Sequence, residues 1–230
     1  MIFNILQKLR HIRQYDETYI IDKTLINDLL YKTWKVTPSK NNFMPYKIHV
    51  IGPDNNEFKK QIYKNCVSQE DYMNSFNEKN IGNKLNDNYK NILNCSYLLV
   101  FTSRIETDPN PMQKMHVNQG IYLEPLSEKG ISSYLDTISL EVGLFANTLA
   151  MLCLENNLDI SYTLCFRRDL SFWKKLPFIK NRPILLMTVG KGKISRRQEM
   201  EKIGQSVLDY KPSYDKIIEF VNEDVTKDIK

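Results

Sequence analysis

The chain has 230 residues, 42% of them hydrophobic and 26% charged, with 8 Gly, 4 Cys and a formal net charge of +5. These proportions are close to those of an ordinary folded chain, which excludes a disordered tail and a fibrous repeat, and the length suits a single domain with a sizeable core. Lys alternates with Asp and Glu along much of the chain, as on a solvated surface, so the excess positive charge does not read as a nucleic-acid face.

From the N-terminus, charge enters the opening MIFNILQKLRHIRQ too early for a signal peptide, and no stretch reaches the roughly 18 uninterrupted apolar residues of a membrane helix. The expectation is a cytoplasmic protein with no membrane partner. Leu25, Ile26, Leu29, Leu30 and Trp34 lie at helical spacing and predict an amphipathic helix over 23–35, running into a loop at Pro38. Residues 46–51 (YKIHVI), between Pro45 and Gly52-Pro53, predict a strand. Residues 74–94 hold eight Asn and read as compositional bias on an exposed surface. Residues 97–102 (YLLVFT), 160–166 (ISYTLCF) and 183–189 (PILLMTV) are apolar enough to be strands buried on both faces. With helical segments between them, the fold class is α+β, a mixed central β-sheet flanked by helices.

The segment 104–130 is poor in helical periodicity and contains Pro109, Pro111 and Pro125. It reads as a lid loop, with Met112, Met115, His116, Tyr122 and Leu123 available to close an apolar pocket, or as a loop that simply packs down. The segment 133–156 differs from the other helices, because from Leu140 onward its apolar residues cover every side of the wheel. Such a helix must be buried on every side. One sheet covers only one of them, so an obligate homodimer is expected, the alternative being the central helix of a large monomeric core. Gly143 would admit a close backbone approach there.

The chemistry-bearing residues exclude several mechanisms. Cys66, Cys95, Cys153 and Cys165 are far apart, and His11, His49 and His116 are the only histidines, so neither a metal site nor a disulfide framework is expected. There is no G-x-G-x-x-G, no G-x-x-x-x-G-K-[ST] and no catalytic triad. Three polar clusters remain. Arg10-His11-Ile12-Arg13 puts two guanidinium groups within reach of one anion, for which their fork geometry suits phosphate. Residues 37–46 (TPSKNNFMPY) offer a hydroxyl, amides and backbone N–H groups to a planar polar heterocycle. Residues 190–197 (GKGKISRR) place four cations just after a buried strand, suggesting an anion or an ordinary solvated turn.

These clusters, in this order, resemble the FMN-dependent nitroreductases. LRHIRQYD at 9–16 is similar to the family's R-R-S-x-R-x-F-D opening, TPSKNNFMPY to A-P-S-x-x-N-x-Q-P-W, and NLDISYTLCF at 157–166 to its late G-L-G-x-x-W-I-G-G-F strand. The final strand and basic turn match 183–190 followed by Arg196-Arg197, so the resemblance spans roughly 9–200 of a single domain, 205–230 being a C-terminal extension. It implies a homodimer with FMN at the subunit interface. Arg10, His11 and Arg13 would lie near the phosphate and the pyrimidine edge. Thr163, Leu164 and Cys165 would present backbone to flavin N5, and Lys193 with Arg196 or Arg197 would complete the phosphate site. Pro38, Ser39, Lys40 and Asn42 would reach over from the partner subunit. Met44, Met112, Met115 and Tyr122 are the substrate-pocket candidates.

The implied activity is NAD(P)H-dependent reduction of nitroaromatics, quinones or similar small acceptors by ping-pong hydride transfer through flavin N5. Alternatives are a dehalogenase, a flavin-fragmenting oxidase, an enone reductase or a non-catalytic flavin-binding dimer. The chain departs from the pattern at Leu9 and His11, where an Arg and a Ser are usual, at Met44 in place of Gln, and at Leu164-Cys165 in place of Gly.

Overall fold

The computed structural model describes residues 9, 11–67, 89–104, 111–119, 135–195, 202–204, 212–213 and 216–218. In chain order the elements are β1 (Ile12–Tyr15), α1 (Lys23–Val36), β2 (Tyr46–Ile51), α2 (Asn56–Lys64), α3 (Asn91–Asn94), β3 (Tyr97–Ser103), α4 (Pro111–Asn118), α5 (Leu135–Glu155), β4 (Asp159–Thr163), β5 (Pro183–Gly190) and β6 (Gly192–Ser195).

Helix α1 starts at Asp22, whose carboxylate accepts from the Thr24 amide at 2.6 Å. It stops at Val36 because Thr37, the residue before Pro38, is held extended. Its inner face buries Ile26, Leu29 and Thr33. Trp34, which spacing places on the apolar stripe, is instead 52% exposed beside Tyr31.

Four strands form one sheet in the order β2-β3-β5-β4, and among the described residues every pairing is antiparallel rather than mixed. The apolar runs of β3 and β5 report burial on both faces, which says nothing of strand direction. Alternation along them supplies two cores. Leu99, Phe101, Met187 and Val189 face α1 and α5, packing with Ile138, Phe145 and Leu149. Leu98, Val100 and Leu186 face the other way, toward Ile62 of α2, Ile92 of α3, Phe166 and Trp173. Between α2 and α3 sits a buried Lys59, whose ammonium donates to the carbonyls of Cys95 at 2.6 Å and Ser96 at 3.3 Å and satisfies the C-terminal end of α3. Burial pulls its pKa down.

Two further expectations need correction. The run 160–166 is a strand only to Thr163. Beyond it the chain leaves the sheet edge, and Phe166 bridges Cys66 instead. The segment 104–130 contains a helix, α4, with Pro111 at its first position, where the missing N–H costs nothing. Residues 105–110 and 120–130, and with them any lid, lie outside the described residues, as does most of 205–230. Helix α5 is not covered on all sides within the chain. Ile138, Val142, Phe145, Ala146, Leu149 and Cys153 are buried, but Leu140 is 65% and Leu144 40% exposed, with Gly143 between them. Residues 137–155 are also long and apolar enough to cross a membrane by length and composition, although half of that window is buried.

Candidate functional site

Of the first cluster, His11 precedes β1 and Ile12 and Arg13 lie on it, and their geometry comes from a network that joins four elements. Asn91 on α3 donates through Nδ2 to the Ile12 carbonyl (3.0 Å) and to Ser161 Oγ on β4 (3.1 Å). The same Ser161 Oγ lies 3.0 Å and 3.1 Å from the two ring nitrogens of His11. Tyr15, fully buried, meets Thr188 Oγ1 on β5 at 2.9 Å, and burial pushes its phenol well above the ordinary range. His11 is thereby held against the strand that ends at Thr163. Asn91, read from sequence as surface bias, is a buried member of this network.

Of the third cluster, residues 192–195 form a strand rather than a solvated turn. β6 pairs antiparallel with β1, matching Ile12 with Ser195 and Tyr15 with Gly192, so Arg13 and Lys193 share a two-stranded ribbon. Lys193 Nζ lies 3.4 Å from Asp16 Oδ1. Hydrogen bonds from the Thr18 hydroxyl and amide hold the Asp16 carboxyl below its usual range, and Lys193 adds to this. The glycines serve packing, because a Cβ on Gly190 would stand 2.6 Å from Tyr15 Cδ1 and one on Gly192 2.7 Å from Ile12 Cδ1. Gly190→Ala should therefore destabilise the fold by about 1–3 kcal/mol through overpacking against a ring that cannot withdraw. Urea unfolding would measure it, and a variant as stable as the parent would refute this reading of the glycine. Arg10, Arg196 and Arg197 lie outside the described residues.

Beyond β4 the chain presents Thr163 buried, Leu164 53% exposed and Cys165 half-buried. The Cys165 carbonyl accepts from the Val67 amide at 3.1 Å and the Asn65 carbonyl from the Arg167 amide at 2.9 Å, fixing this segment to the end of α2. Tyr89 lies beside Cys165 and close enough to Arg13 to feel its charge. Its hydroxyl titrates well above the ordinary range, chiefly because it is buried. A cavity of about 500 Å³ opens here between Gly143 and Asn147 of α5, Tyr162 of β4, Leu164 just beyond it, Leu185 of β5, and Arg168. A Cβ on Gly143 would meet nothing within 4 Å.

The second cluster is a tight turn pinned to α5. Glu141, 4% exposed, accepts from Ser39 Oγ through Oε2 (2.7 Å) and from the Lys40 amide through Oε1 (3.0 Å). Ser39 Oγ in turn accepts from the Met44 amide at 2.8 Å. Arg104 donates to the carbonyls of Met44 (Nε, 3.0 Å) and Phe43 (Nη2). Between these contacts Asn42 and Met44 adopt φ of 53° and 42°, the left-handed region that non-glycine residues rarely enter. Pro38, Lys40 and Asn42 are exposed, and α4, which carries an exposed Met115, lies beside the turn. Met44 lines a groove of about 650 Å³ with Tyr31, Trp34, Lys47 and Arg104. The side chain of Met112, and Tyr122 altogether, lie outside the described residues.

The structure thus gathers His11, Arg13, Lys193 and the 163–165 backbone around β1, and sets Ser39, Lys40 and Asn42 on a different edge against α5. Sequence reasoning missed Tyr15, Tyr89, Ser161, Glu141 and Arg104. Glu141 carried a signal, since a lone carboxylate inside the apolar run SLEVGLF must be hydrogen-bonded if that run is buried. Among the described residues no group of three His, Cys, Asp or Glu could hold a metal ion.

No family model matches the chain, and no curated protein matches its sequence. Solved structures match it in fold. A protein assigned as an NAD(P)H:FMN oxidoreductase from Staphylococcus epidermidis has a TM-score of 0.66 at 16% identity, covering 96% of this chain and 96% of its own. A nitroreductase-like protein from Streptococcus mutans has a TM-score of 0.62 at 20% identity, covering 96% and 98%. A protein assigned as a nitroreductase from Exiguobacterium sibiricum, in complex with FMN, has a TM-score of 0.57 at 18% identity, covering 88% and 95%. The chain has the nitroreductase-like fold.

Proposed function

We propose that this chain is an FMN-dependent oxidoreductase that works as a homodimer in the cytoplasm, using NAD(P)H to reduce nitroaromatics, quinones or similar small electron-poor acceptors. The observation that carries the reading is the convergence of β1, β6 and the end of β4. It sets Arg13, Lys193 and His11 around one edge of the fold, while the neighbouring cavity reaches the uncovered face of α5. The fold's occurrence in a solved FMN complex agrees with it.

The residues present fit the cofactor. Arg10, Arg13, Lys193 and Arg196 or Arg197 would neutralise its phosphate, and His11, oriented by Ser161, would meet the pyrimidine edge. The backbone of Thr163, Leu164 and Cys165 would face the ring. Pro38, Ser39, Lys40 and Asn42 would contribute from the other subunit. The Ser39 proton already goes to Glu141, so this hydroxyl offers a ligand a lone pair rather than a donor. When bound, FMN supplies the two-electron chemistry between a nicotinamide and an electron-poor acceptor. The chain's own task is to hold the ring and phosphate, to orient them and to exclude water at the interface. Met44 and Met115 would supply apolar contacts to the acceptor, with Met112 and Tyr122.

The test is a fluorescence titration of FMN and riboflavin against parent and Arg13→Ala. The parent should bind close to one FMN per chain. A charge-assisted hydrogen bond contributes roughly 1.5–3 kcal/mol, so the variant should bind FMN about one to two orders of magnitude more weakly. Riboflavin, lacking the phosphate, should bind poorly and equally to both. A parent that binds no FMN ends the flavin reading, and equal FMN dissociation constants end the role of Arg13.

A further inference from the structure

Glu141 and Arg104 belong to none of the three clusters, yet they act on one turn from opposite sides. The carboxylate takes the turn's donors, Ser39 Oγ and the Lys40 amide, at 2.7 and 3.0 Å. The guanidinium takes its acceptors, the carbonyls of Phe43 and Met44. Tyr46 follows after Pro45, and both charges act on its buried phenol, Glu141 raising its pKa and Arg104 lowering it, although burial is the larger cause of its upward shift. Without such a clamp the turn has little reason to persist. Two non-glycine residues at positive φ are strained, and the 3₁₀ turn over Lys40–Asn42 has no side-chain cap of its own.

The clamp also has an address. Glu141 follows Leu140 and lies two residues before Gly143, so one face of the same helical turn carries the buried carboxylate and another the exposed apolar stripe. The turn is therefore fixed to the helix that a second copy would cover.

We propose that Glu141 and Arg104 are positioning residues that hold the 39–44 turn in its ligand-binding shape and tie that shape to the dimer helix. The assignment of FMN as the ligand rests on the function proposed above, whereas the clamp itself is a property of the turn. Glu141→Gln keeps the volume but offers one acceptor oxygen where two donors converge, and Arg104→Met removes both donors while keeping an apolar stem.

The experiment combines FMN titration with amide hydrogen exchange, read on parent, Ser39→Ala, Glu141→Gln, their double variant and Arg104→Met. Glu141→Gln and Arg104→Met should each weaken FMN binding about 10-fold or more, the scale of one charge-assisted hydrogen bond. Both should speed exchange at the Lys40 and Met44 amides about 10-fold or more while the amides within β3 keep their protection. In the double variant the Lys40 amide should exchange no faster than in Glu141→Gln alone, because on the turn itself the two side chains act as one unit. Additive accelerations of Lys40 exchange in the double variant, or unchanged FMN affinity and exchange with only a lower melting temperature, would overturn the proposal and leave both residues as ordinary fold stabilisers. If the parent binds no FMN, the functional reading falls, and the exchange rates at Lys40 and Met44 still decide the clamp.

Discussion

Glutamate at both Leu140 and Leu144 should yield a folded monomer that binds FMN about 100-fold more weakly than the parent, or not at all. Both side chains are exposed within the chain, so the substitutions remove little from its own core and the melting temperature should barely change. In a dimer the same positions would be buried, and two carboxylates per subunit without partners would cost several kcal/mol on association. If the 38–42 turn serves the other subunit's flavin, losing the dimer removes half of each site. Sedimentation reads the mass and fluorescence the affinity. A monomer with parental FMN affinity would show that the site is built within one chain, and a variant that stays dimeric would place the interface elsewhere.

Trp173→Ala should be the most damaging single change near the site, at about 3–5 kcal/mol for a fully buried large aromatic. The indole is 1% exposed, packs edge-on against Phe166 with ring centroids 5.9 Å apart, and donates from Nε1 to the Arg167 carbonyl at 2.7 Å. Those contacts fix the chain that returns from Leu164-Cys165. The loss should therefore appear both in the urea midpoint and in FMN affinity measured below the unfolding transition. Tryptophan removal that costs under about 1 kcal/mol would mean this segment is held by its backbone bonds to 65–67 alone.

Much of this architecture was readable before any coordinates. The long helices and the four sheet strands declare themselves because burial on one or both faces imposes a period on the side chains. The ribbon of β1 and β6 does not. Each strand has four residues, its register is irregular, and Arg13 and Lys193 interrupt any apolar pattern. Motif order pointed to Arg13 and Lys193 as neighbours, although their separation in sequence exceeds the reach of any local rule. The polar network was hidden for a different reason. Asn91 looks like the surface Asn around it, and only its insertion between Ile12 and Ser161 distinguishes it. Direction in the sheet was misjudged since apolar content carries no information about it.

The pairing of β1 with β6, with Tyr15 reaching Thr188 across a separation of 173 residues, also sets a timetable. During synthesis β1 leaves the ribosome before its partners and then waits, exposing an edge and a tyrosine with nothing to receive them, until β5 and β6 have followed. Closing so long a loop is among the slower steps available to a domain of this size. If this edge holds the phosphate as proposed, cofactor capture must wait for β6, and a truncation just before β6 should give chains that fold in part and remain colourless.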